Sequence, residues 1–177
     1  MKKLSLLLAI LLIVSFGVSA ATDSTEFNIA TSINDVVGVK VGAQGGQINT
    51  YSGFSSYAAI PSVTIVGGNG GTLSYDLEVY AMSNVAGKFT VSTTATPLRI
   101  GEEGYILPYT VTVDGSAGEL VNSSAGKAIT FINNFDQTNG LTFASKKFSV
   151  GVTEDALFAA ESGDYSSTWT IEITTSN

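Results

Sequence analysis

Strict alternation of apolar and polar residues is the clearest pattern in the chain. Within 72–83, Leu73, Tyr75, Leu77, Val79 and Ala81 fall on one face, and Ser74, Asp76 and Glu78 on the other. Side chains alternate across a strand with period two, so this spacing predicts a strand with one buried face. Residues 84–87 supply turn chemistry. Residues 88–100 repeat the pattern with Phe89 and Val91 against Thr90 and Ser92, and Pro97 marks an edge or strand end because it has no N–H for a ladder. Residues 105–113 place Leu107, Tyr109, Val111 and Val113 together before the turn Asp114-Gly115. Shorter strands are expected at 26–33, 36–41, 62–66, 128–135, 141–144 and 148–153, with a last one at 164–174. Glycine-rich 42–46 and 67–71 read as loops, 133–140 as a polar loop, and 155–161 as a single helical turn. Eight to ten short strands at near-regular spacing predict an all-β fold, a β-sandwich.

One segment breaks the pattern. Met1-Lys2-Lys3 is followed by an unbroken apolar run from Leu4 to Val14, then Ser15-Phe16-Gly17 and Val18-Ser19-Ala20-Ala21. A short positive stretch, an apolar stretch and small residues at a cleavage site are the marks of a secretory signal. A spanning helix needs about 20 apolar residues, and this run is shorter. The expected division is a signal peptide at 1–20, an N-terminal extension or first strand at 21–35, and a β-sandwich domain at 36–177. The product is expected to be exported, to the cell surface, a fimbrium or the medium, through the periplasm in a Gram-negative cell. No membrane insertion is expected once the signal is removed. A lipid-anchored form needs a cysteine, and the chain has none.

Charge narrows the partners. Taking Lys2 and Lys3 from eight basic residues leaves six against fifteen acidic, a formal charge of −9 for the mature chain. Such a chain has no electrostatic footprint for nucleic acid or an anionic membrane surface. The lack of cysteine also means that packing or partners, not disulfides, must stabilise it. The chain has no histidine either, which removes most zinc sites, Ser-His-Asp triads and bases poised near neutral pH. No cofactor, metal or catalytic residue is expected, and the chain does not read as an enzyme.

The acidic groups support that reading. Glu102-Glu103 and Glu154-Asp155 sit between or after strands and read as solvated turns. Asn134, Asp136 and Asn139 offer oxygen ligands to calcium, but without the alternation that ends in a bidentate glutamate. Trp169, the only tryptophan, lies in register with Tyr165, Ser167, Ile171 and Ile173. It is expected to face the core, with its indole N–H on an acceptor, and not to form an exposed sugar-stacking platform.

The two ends of the mature chain carry a resemblance. The C-terminal stretch runs from Gly163 and Tyr165 through Trp169, Ile171 and Ile173, and near the N-terminus Phe27, Ile29, Thr31 and Ile33 alternate. Together they resemble cysteine-free, alpha-class chaperone–usher pilins and spore-coat-U-like secreted domains. The resemblance implies an Ig-like Greek-key sandwich that lacks its last strand. Phe27, Ile29, Thr31 and Ile33 would form a donor strand for a neighbour, and Tyr165, Trp169, Ile171 and Ile173 would line the receiving groove. Tyr165 would act as a tyrosine corner, its hydroxyl bonding back to the backbone. The implied function is a structural subunit of a surface filament or coat built by β-augmentation, with other copies or related subunits and a periplasmic chaperone as partners. Two features depart from the family: 42–59 is unusually rich in Gly, Ser and Tyr and has no assigned element, and the penultimate residue is not aromatic. The other reading from sequence is a self-contained sandwich that binds carbohydrate or a host surface as a monomer.

Overall fold

The computed structural model describes residues 34–63, 73–101, 104–137 and 140–176, all within one compact unit, Asn34–Asn177. The expected signal segment, the strand containing Phe27, Ile29, Thr31 and Ile33, and residues 64–72 lie outside the described residues.

Ten strands and two short helices follow in chain order among the described residues: β1 (Val37–Ala43), α1 (Tyr51–Ser56), β2 (Leu73–Ser83), β3 (Gly87–Ala95), β4 (Leu98–Arg99), β5 (Ile106–Leu107), β6 (Tyr109–Val113), β7 (Glu119–Val121), β8 (Lys127–Gln137), β9 (Thr142–Val152), α2 (Glu154–Ala159) and β10 (Ile171–Ser176). They form a five-stranded sheet in the order β1-β2-β9-β6-β7, a three-stranded sheet β10-β3-β8 and the small hairpin β4-β5. Every pair is antiparallel. The all-β expectation is met.

One core lies between the two larger sheets. Leu77, Val79, Val111, Phe148 and Val150 come from the first, and Phe89, Val91, Ile129 and Phe131 from the second. Phe131 and Phe148 meet across the interface with ring centroids 4.9 Å apart. Burying side chains of this size contributes about 1.5–3 kcal/mol each, enough in sum to replace the missing disulfides.

Register defines two poles. Val37 pairs with Ser83, Ser176 with Lys88 and Gly87 with Gln137, so residues 34–37, the β2–β3 turn and the end of β10 share one pole, the base. Leu73 pairs with Val152 and Ala95 with Lys127, which puts α2, the β4–β5 hairpin and the start of β10 at the other pole, the apex.

Several elements differ from the expected ones. The pieces at 141–144 and 148–153 are a single strand, β9. Its polar centre is tolerated because Ser145 donates to Glu78 at 2.6 Å and Lys146 to Asp114 at 2.7 Å. The 133–140 loop is strand as far as Gln137; Asn134 adopts positive φ there, and Lys88 pairs with Asp136 at 3.4 Å. The single helical turn is α2, capped by Thr153, whose side chain accepts from the Ala156 N–H. Its first turn holds Glu154 and Asp155, where the positive helix end favours them.

Segment 42–59 also has a place: it covers the outer face of the five-stranded sheet. Phe54 from α1 packs with Tyr80 and Met82 into a second, smaller core, bordered by Ile48, Tyr57 and Phe143. Gly42 lies beneath this cover, where a Cβ would press on the Tyr57 ring and the ring would have to shift.

Candidate functional site

The terminal strand β10 lies at an edge. It pairs with β3 on one side, Ile171 opposite Thr93 and Ser176 opposite Lys88, and with no strand on the other among the described residues. Its side chains alternate: Ile171, Ile173 and Thr175 are half-buried, while Glu172, Thr174 and Ser176 are exposed. On the same flank, at the edge of the other sheet, β1 contributes Val39 and Val41, also half-buried against the core. The Ile60 N–H donates to the Val41 carbonyl at 2.8 Å, which occupies the upper part of the β1 edge. What remains is a strip of half-covered apolar side chains beside a row of β10 backbone groups that no strand pairs among the described residues. Such an edge is a template for another strand.

The segment leading into β10 is fixed by a hydrogen-bonded knot. The Trp169 indole N–H donates to the Tyr109 hydroxyl at 2.8 Å, and that hydroxyl donates to the Thr96 carbonyl at 2.6 Å. The Ser167 hydroxyl donates to the same carbonyl at 2.7 Å, and the Thr93 hydroxyl reaches the Thr170 carbonyl at 2.8 Å. The Trp169 and Tyr109 rings stack at 5.9 Å with 17° between planes. Burial pushes the Tyr109 phenol up, against the opposing effect of its bonds with Trp169 and Ser167. The expected acceptor for the indole is therefore Tyr109, and Trp169 packs against the core.

Tyr165 and Trp169 precede the final strand and do not belong to it; β10 begins at Ile171. Residues 164–170 cross the apex from one sheet to the other, where Ser166 makes an isolated bridge with Arg99. All four residues, Tyr165, Trp169, Ile171 and Ile173, nevertheless pack against the same core. The Tyr165 hydroxyl donates to the Glu161 carbonyl at 3.1 Å, a bond back to the backbone four residues upstream.

Sequence reasoning missed a second polar cluster, under the 42–59 cover. Glu78 accepts from the Gly45 N–H at 2.8 Å, from Tyr80 at 3.0 Å and from Ser145. Burial alone would raise the Glu78 carboxyl, but these bonds, with Lys147 nearby, hold it below the usual carboxylate range. The Lys40 ammonium donates to the carbonyls of Phe54, Ser55 and Tyr57 at 2.7, 3.1 and 2.8 Å, which closes the C-terminal end of α1. The signal was present: Tyr80 and Met82 end the otherwise polar face of β2, so that face is also covered.

At the apex, Thr96, Arg99, Ser124, Ser166, Ser167 and Thr168 surround an open, hydroxyl-rich depression. Arg99 donates to the Ser124 hydroxyl there. Among the described residues no group of three or more acidic side chains is placed to hold a metal ion, and no helix is long and apolar enough to cross a membrane. Comparison with protein-family models and with curated protein sequences finds no match.

Proposed function

We propose that this chain is a structural subunit of an exported surface filament or coat that assembles by strand donation, within an Ig-like Greek-key sandwich. The supporting observation is the edge position of β10, with Ile171 and Ile173 only half-covered and no second neighbour among the described residues. The proposed donor is the segment carrying Phe27, Ile29, Thr31 and Ile33 from another copy. Its seven residues, 27–33, span about the length of the six in β10. Its apolar residues alternate, as a strand laid over a half-open core requires. Burying Phe27, Ile29 and Ile33 would contribute roughly 5–9 kcal/mol before ladder hydrogen bonds. A head-to-tail contact that does not close on itself propagates as a fibre.

The test compares the mature chain with and without 21–33, together with Ile29→Asp, by sedimentation and electron microscopy. Polymers are expected from the intact chain alone. Filaments that persist in either variant refute strand donation, as does a monomer whose melting temperature ignores the deletion.

A second reading, a monomeric carbohydrate binder, is favoured by the hydroxyl-rich depression around Arg99. Thr168, which lines it, immediately precedes Trp169, so the fluorescence of that residue should respond to neutral and acidic sugars if that reading holds. An unchanged signal up to millimolar sugar removes it.

A further inference from the structure

We propose that two bulges in β8 are a device that keeps this edge from pairing with a second copy of the chain. The inference concerns the flank opposite β10 and holds whether or not strands are donated.

The hazard lies in the length of β8. It spans eleven residues, against seven in β1, six in β10 and three in β7, the other strands at the ends of the two larger sheets. Among the described residues it pairs with β3 alone. Ala128, Thr130, Asn133, Asn134, Phe135 and Asp136 are exposed along it. A straight edge of that length, carrying an aromatic side chain, is a template on which the same strand of another copy can pair.

The strand is not straight. Between the pairs Phe89–Phe135 and Val91–Ile132, β3 advances two residues and β8 three. Between Val91–Ile132 and Ser92–Thr130, β3 advances one and β8 two. Two extra residues therefore sit in the middle of β8. Each bends the bulged strand and raises its twist, so the outward N–H and C=O groups leave the single row that a partner strand needs. β10 meets the same β3 in one unbroken register.

Both bulges are fixed by their surroundings. A regular strand points successive side chains to opposite faces, yet the sequence neighbours Phe131 and Ile132 are both buried, at 3% and 2% exposure. The Phe131 ring is held against Phe148 in the main core, so the core itself keeps that part of β8 irregular. At the other bulge Asn134 takes a φ of 46°, a left-handed conformation that asparagine enters more readily than most residues. Its N–H donates to the Thr90 hydroxyl at 3.1 Å, a side-chain bond in place of a ladder bond. The rest of the flank is protected by simpler means. β7 is only three residues long, and Lys127 opens β8 with a charge, paired with Glu119 of β7 at 2.9 Å; short edges and edge lysines both discourage pairing.

The test deletes Asn134 from the full mature chain. The deletion leaves Ile132 opposite Val91 and Phe135 opposite Phe89, and removes one extra residue between them. Ile29→Asp serves as the parent, so that strand donation does not contribute. Sedimentation velocity reads association, and hydrogen exchange reads protection at 127–137. The deletion should associate at a concentration about tenfold below the parent, equivalent to about 1.4 kcal/mol, with protection at 127–137 that rises with concentration. Asn134→Val, which disfavours positive φ, should shift association the same way and carries the test if the deletion does not fold. Asn134→Gly keeps the left-handed conformation without strain and should behave as the parent. Folded variants that associate no more than the parent overturn the proposal, as does association without protection at 127–137. Association of Asn134→Gly as strong as that of the deletion also overturns it, since the bulge is then not what holds copies apart.

Discussion

Replacing Tyr109 by Phe tests the knot that holds the entry to β10. The substitution removes one oxygen and leaves the ring stacked on Trp169. Two hydrogen bonds disappear, but their losses are unequal. The Thr96 carbonyl keeps the Ser167 hydroxyl at 2.7 Å, whereas the Trp169 indole N–H loses its acceptor at 2.8 Å. An unsatisfied buried donor costs about 1–3 kcal/mol. Trp169 is half-buried, so water relieves part of this, and a loss of about 1–2 kcal/mol is expected. For a domain of this size that corresponds to a melting temperature lower by about 3–6 °C. Trp169 is the only tryptophan, so its fluorescence during urea unfolding follows the site directly, and the midpoint should fall with unchanged slope. Circular dichroism completes a double-mutant cycle with Trp169→Phe, where a coupling near 1 kcal/mol is expected. A cost below about 0.3 kcal/mol, or strict additivity with Trp169→Phe, would falsify the account of the knot.

Other outcomes follow from the same structure. Glu78 has its carboxyl held below 4.5 in the folded state, so the stability it contributes is present above that pH and is lost as pH falls through the folded value. Glu78→Gln should therefore be less stable than wild type at pH 7, and the gap should close below about pH 4.5; a gap constant with pH refutes the assignment. Lys40→Met removes three ammonium–carbonyl bonds and should cost about 1.5–3 kcal/mol, with hydrogen exchange rising first at 51–57. Gly42→Ala pushes a methyl against the Tyr57 ring and should cost about 1–3 kcal/mol, read by urea unfolding. Phe148→Ala opens the centre of the main core and should cost about 3–5 kcal/mol.

Much of the fold is legible from period-two alternation where one face of a strand is covered. β2 is the example: Leu77, Val79 and Ala81 are core, as their spacing implies. The same rule failed where both faces are covered or where a polar stretch finds partners. Tyr80 and Met82 face a cover assembled from residues some 25–40 positions earlier, which no local pattern announces. Ser145-Lys146-Lys147 reads as a gap between strands because Glu78 and Asp114, which receive two of these side chains, are distant in sequence. β7 was missed because it is only three residues long, with Val121 its single buried residue. The candidate site was half legible. Ile171 and Ile173 follow from alternation, but that β10 ends a sheet depends on strand order, and strand order is set by packing of the whole domain.

The pairing of β10 with β3 also bears on time. Ile171 meets Thr93 across 78 intervening sequence steps, and Leu73 meets Val152 across 79. Contacts so remote along the chain form slowly, because loop closure must precede any gain from them. Closure of β10 on the β3 edge is therefore expected to be one of the slow steps of folding. Were another copy to donate a strand, it would compete with β10 for that edge, and the number of neighbours at hand would be set against the time that closure takes.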